Sequence, residues 1–111
     1  MSPEQMIAAY ERILALMNLM HRAAEGREWE RLVALEQQCK QVAQSLAEHD
    51  RGIPLGETLR QRKLALLRQI LAVDAAIRDI TEPWLRDLQG LLATSSRKRQ
   101  LVATYGAMGR R

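Results

Sequence analysis

Apolar residues return at spacings of four and three from the start of the chain: Met6, Tyr10, Ile13, Met17, Met20 and Ala24. That period is helical, and Ile7, Leu14 and Leu16 widen the stripe into the broad face of a bundle helix. Ser2-Pro3-Glu4-Gln5 ahead of it is a start signal, with a serine to cap, a proline for the first helical position and Gln5 to close a capping box. Gly26 is expected to take the left-handed conformation that ends this helix, predicted over about 3–25. A second helix follows over about 28–50. Trp29, Leu32, Cys39, Ala43 and Leu46 carry its seam, Glu36 interrupts it, and Val33, Leu35 and Val42 lie alongside. The intervening turn is so short that the two helices must be antiparallel neighbours.

"DRGIPLGE", with two glycines and Pro54, breaks the chain again. The third helix is the long one, predicted over about 55–93, which at 1.5 Å per residue is roughly 55 Å, against roughly 33 Å for each earlier helix. Pro83 should kink it near residue 83 and not end it, because the apolar period runs on through Trp84, Leu88 and Leu91. "ATSS" offers a stop and a new cap, and residues 96–108 read as a short fourth helix. The fold class is therefore all-α, an antiparallel helical bundle of three long helices plus a short C-terminal fourth helix, in one domain over 1–111.

The third helix carries two stripes. Leu66, Ile70, Val73, Ile77, Ile80, Trp84, Leu88 and Leu91 form one; Leu64, Leu67, Leu71, Leu85 and Leu92 form another, rotated around the axis. One stripe suffices to pack on the first two helices. The second needs a partner of its own, since each buried leucine contributes roughly 1.5–3 kcal/mol and a bare patch invites adhesion. Two readings stand side by side: the fourth helix covers the stripe permanently, or it competes there with an external partner. A helix of about a dozen residues holds only by docking, which suits a displaceable cover.

Composition adds what the pattern leaves open. The 111 residues contain no phenylalanine, and Leu, Ala, Arg, Gln and Glu dominate, which favours helix over sheet. No apolar run approaches the roughly 20 residues of a membrane span, and "MSPEQMIAAY" lacks the regions of a signal peptide. The one cysteine, Cys39, fits a reducing compartment, so the cytoplasm is expected. Net charge is +4, but its distribution matters more. "SSRKRQLVATYGAMGRR", residues 95–111, holds five basic residues and no acidic one, whereas the 94 residues before it carry twelve basic against thirteen acidic. A duplex-binding face gathers its bases along an element that tracks phosphates, so direct nucleic-acid binding is not expected.

Catalytic chemistry finds no foothold. His21 and Glu25 are spaced to meet on a helix, but two groups do not complete a zinc site. His49 has no nucleophile nearby, Cys39 lies on the apolar seam, and "RGIPLGE" lacks the spacing and the Lys-Ser/Thr pair of a phosphate loop. Neither enzyme activity nor cofactor nor metal is expected. Trp29 and Trp84 read as core anchors.

Three stretches carry a family likeness. "MIAAYERILALMNLMHRAAEG", "EGREWERLVALE" and the tail "SSRKRQLVATYG" resemble the first helix, the Gly-acidic-Trp turn with its leucine-rich helix, and the closing segment of the FliT family of flagellar proteins. Gly26 stands two residues before Glu28, so the turn is one residue longer than the family's pattern. The resemblance implies a type III export chaperone that holds the filament-cap protein FliD in the cytoplasm. It also implies docking to the export ATPase and associated export components and, in enteric relatives, inhibition of the FlhD/FlhC transcriptional activator. The C-terminal helix is held there to regulate access to the client groove. On this reading Leu64, Leu67, Leu71 and Arg78 are candidates for client contact, with packing in the bundle the alternative. Arg97, Lys98, Arg99, Leu101, Tyr105 and Met108 are candidates for the regulatory helix, with a plain structural cap or solvated charge the alternative. A homodimer through the same stripe is a further open reading.

Overall fold

The structure is a computed structural model and describes residues 1–49 and 52–91. Three helices account for most of them: α1 (Pro3–Glu25), α2 (Trp29–His49) and α3 (Glu57–Leu91). Among the described residues there is no strand, and no helix is long and apolar enough to cross a membrane. The fourth helix expected over 96–108 lies outside the described residues, as do Leu92 and the candidates Arg97, Lys98, Arg99, Leu101, Tyr105 and Met108.

α1 starts as its sequence dictates. The Gln5 backbone N–H donates to Ser2 Oγ at 3.1 Å, and the Ser2 N–H donates to Gln5 Oε1 at 2.9 Å, a complete capping box ahead of Pro3. Its end corrects the sequence reading. Gly26 has φ −83, an ordinary right-handed value, and Arg27 takes the left-handed conformation at φ 56. The Glu28 N–H reaches the Ala23 carbonyl at 2.8 Å, and the Arg27 N–H reaches the Ala24 carbonyl at 3.1 Å. That pair of bonds is a Schellman closure with arginine where glycine is usual. The extra residue noted in the turn is thus the one that reverses the chain.

α2 returns antiparallel to α1, and α3 then runs parallel to α1. Arg62 of α3 bridges Glu11 of α1 at 3.3 Å, and at the other end Trp84 of α3 stacks on Trp29 of α2. The core is unevenly supplied. α1 contributes nine buried apolar residues, including every member of its predicted stripe, because α2 and α3 both pack against it. α2 gives Leu32, Leu35, Cys39 and Leu46. Ala43, expected on that seam, is exposed, while Glu36, which breaks the seam in sequence, is buried. α3, the longest at 35 residues, buries only Leu66, Ile77 and Thr81. Met6, Leu32 and Leu66, one from each helix, are the largest fully buried side chains.

Length explains the imbalance. A 35-residue helix is about 52 Å long, close to the molecule's longest extent of 55 Å, whereas 23 residues of α1 cover about 35 Å. The last turns of α3 therefore run past the α1–α2 turn. Leu91, read from its period as a core-facing residue, is 82% exposed there. Pro83 lies inside α3, which continues through it to Leu91, although proline offers no N–H to the carbonyl four residues back.

Candidate functional site

The second stripe of α3 divides in the structure. Leu64 and Leu71 are exposed, at 47% and 67%, while Leu67 is half-buried against the core and Leu85 is half-buried. Spacing explains this: 64 and 71 are two turns apart on the side away from α1, and 67 lies toward its edge.

The first turns of α3 and the preceding loop form a groove of about 560 Å³, walled by Ile53, Leu55, Leu64 and Leu67 and rimmed by Glu57, Arg60, Gln61 and Lys63. Glu57 is engaged by Arg60 and accepts a bond from Gln61 Nε2 at 3.2 Å. Lys63 sits 5.6 Å from the centre of the Tyr10 ring, a cation–π distance. The structure thus joins Leu64 and Leu67 in one groove. Leu71 stands one turn beyond, and Arg78 stands two turns farther, where its Nε pairs with Asp74 Oδ2 at 3.0 Å. Ile53 and Leu55 were missed as site residues. Their signal was present, since apolar residues on either side of Pro54 in an extended segment can face the same way.

A second cavity, about 360 Å³, lies where α3 overruns the α1–α2 turn, lined by Arg27, Trp29, Ile80, Pro83, Trp84, Asp87, Leu88 and Leu91. The two indoles stack with centroids 4.2 Å apart and planes 29° apart, each partly buried. They anchor the α2–α3 contact at that end.

His21 Nδ1 and Glu25 Oε1 are 3.8 Å apart on the surface of α1, and the His49 Nδ1–H donates to the Ser45 carbonyl at 2.8 Å. Burial pushes the Cys39 thiol above its ordinary value, and the Asp74 carboxylate adds to the shift, so the sulfur is held as an unreactive thiol. Among the described residues no group of three His, Cys, Asp or Glu is placed to hold a metal ion.

Leu64 and Leu71 thus form an exposed apolar strip on α3 beside a groove rimmed by Glu57, Arg60, Gln61 and Lys63. The family model "Flagellar protein FliT" matches residues 7–107. Curated relatives of that name from Escherichia coli O139:H28 and from the ATCC 8739 strain are each 24% identical over 101 residues, covering 91% of this chain and 84% of the relative. The relative from strain K12 is 23% identical over the same span. No solved structure matches. With nearly its whole length matched, the chain belongs to the FliT family of flagellar proteins.

Proposed function

We propose that this chain is a flagellar type III export chaperone that binds the filament-cap protein FliD in the cytoplasm and delivers it to the export ATPase and associated export components. One observation carries the reading: α3 is the longest helix, yet it buries the fewest residues and presents Leu64 and Leu71 to solvent beside an open apolar groove. An exposed leucine pair on a bundle helix is the kind of face that a partner helix seats on, read as anchors three, four and seven residues apart. Leu64, Leu67 and Leu71 make the client contact, and Arg78 extends the strip. The protein then acts by binding, with no chemistry of its own. Its last helix, with Leu101, Tyr105 and Met108 as the apolar side and Arg97, Lys98 and Arg99 as the basic side, gates access to the strip.

The test is co-purification with the C-terminal part of FliD. Seating one leucine contributes about 1.5–3 kcal/mol, so Leu64→Asp and Leu71→Asp are each expected to weaken the complex about tenfold or more. Both side chains are exposed, so both variants keep the fold. Undiminished binding in the double variant would reject the strip as the client site.

A further inference from the structure

The exposed leucines do not stand among neutral neighbours. At spacings of three and four along the outer face of α3, the chain reads Arg60, Leu64, Arg68, Leu71, Ala75 and Arg78, so arginines alternate with the apolar positions. Arg60 and Arg68 are exposed. The whole helix is polarised in the same sense. Residues 57–72 hold four basic side chains and one acidic, whereas residues 73–91 hold two basic and four acidic. The positive end of the helix dipole lies in the basic half and adds to it. The one acid there, Glu57, is held by Arg60 and Gln61, and Arg62 pairs with Glu11 of α1, which leaves Arg68 as the exposed arginine of this half outside those ion pairs. Lys63 supplies a further cation at the groove rim.

We infer that the segment this site accepts is an amphipathic helix whose aliphatic anchors are flanked by acidic side chains, seated over residues 60–71 with its carboxylates against Arg68 and against Arg60, which exchanges Glu57 for the client's carboxylate. The inference rests on the client-binding reading above and adds the charge that selects the client. An acidic segment meets the basic half of α3 with attraction, and added salt screens that attraction and weakens the client.

Two synthetic helical peptides of about 20 residues, with the same leucines at three, four and seven and either glutamate or lysine at the flanking positions, test this on the full-length chain by fluorescence anisotropy. An exposed ion pair contributes up to about 1 kcal/mol, a factor of about five. The glutamate peptide is therefore expected to bind about tenfold or more tighter than the lysine peptide. The preference should shrink between about 0.05 and 0.5 M salt, where the screening length falls below about 5 Å. The double variant Arg60→Glu, Arg68→Glu should invert it, with circular dichroism verifying the helical fold. Equal affinity for both peptides, or a preference untouched by the charge reversal, overturns the inference. If Leu71→Asp abolishes both peptides equally while the charge reversal does nothing, the strip survives as the client site and only the charge selection falls. If neither set of variants matters, the client-binding reading falls with it. A dimer in sedimentation equilibrium that Leu71→Asp dissociates, with neither peptide bound, would assign the strip to a second copy and also overturn the inference.

Discussion

Arg27 is held at φ 56, where a side chain with a Cβ costs about 1–2 kcal/mol relative to the right-handed region. It stays there because two backbone bonds, from the Glu28 and Arg27 N–H groups to the carbonyls of Ala23 and Ala24, close the end of α1 around it. Arg27→Gly removes the steric cost and adds chain entropy to the unfolded state, leaving an expected net gain of about 0.5–1 kcal/mol. The neighbour calls for the reverse substitution. A Cβ at Gly26 would meet the Arg22 carbonyl oxygen at 3.5 Å, an ordinary contact, and φ is −83, so Gly26→Ala should also stabilise, by about 0.4–1 kcal/mol. Urea midpoints at unchanged slope measure both, and a loss of stability in Arg27→Gly would refute this account of the turn. Cys39 makes a different claim. Its raised pKa means that the folded chain keeps the thiol proton where the unfolded chain releases it. That contribution is fully present below the unfolded pKa of about 8.5 and is lost as pH rises through the folded value, at no more than about 1.4 kcal/mol per pH unit. Stability curves from pH 8 to 10 should fall more steeply for the parent chain than for Cys39→Ala, and parallel curves would show that the thiol contributes nothing.

At the scale of elements, α3 carries two stripes with different fates, and one substitution made on each separates them. Leu66 is 1% exposed and Leu71 is 67% exposed. Leu66→Ala removes buried atoms and leaves a void, costing about 2–5 kcal/mol, whereas Leu71→Ala should change stability by less than about 0.5 kcal/mol. Similar losses in the two variants would mean that the outer stripe is packed after all. The far end of α3 rests on the Trp29–Trp84 stack, for which a double-mutant cycle with alanine should give a coupling of about 0.5–1.5 kcal/mol, with zero coupling ruling out the pair as a tie between α2 and α3. Much of this was legible in the chain. The α1 stripe was readable residue by residue because that helix is covered from two sides, so its period of 3.6 has to be satisfied throughout. Periodicity gives the direction a residue faces and not whether anything stands opposite. For that reason Ala43 and Leu91, both in phase with their stripes, turned out exposed, one on an uncovered side of α2 and the other where α3 outruns its neighbours. The loop wall of the groove, Ile53 and Leu55, and the meeting of the two tryptophans depend on how separate segments approach, which no single helix period encodes.

For the whole molecule, the proposed gate has to be weak if it is to open for a client. Docking a segment of about a dozen residues cannot be strong: such a helix is marginal alone and recovers only what its few apolar side chains bury, less the conformational entropy of ordering it. If the net hold is about 1–2 kcal/mol, the strip is open roughly 3–15% of the time, and the apparent affinity for a client is lowered by that fraction. Removing residues 96–111 should then tighten client binding about 5–30-fold, with the larger part of the change in the association rate, because the free state no longer has to open first. Titration calorimetry and stopped-flow on the parent and truncated chains measure both quantities. The direction is diagnostic. A segment that itself contacts the client would, when deleted, weaken binding and speed dissociation, and a segment indifferent to the strip would change neither. Since residues 57–72 repel a basic segment, the gain on truncation should be smallest at low salt, where the segment is already held most weakly, and should grow as the charges are screened. A gain that shrinks with added salt would mean that the segment is latched by attraction, to the acidic half of α3 at residues 73–91, and the gate would then be closed by charge and opened by salt.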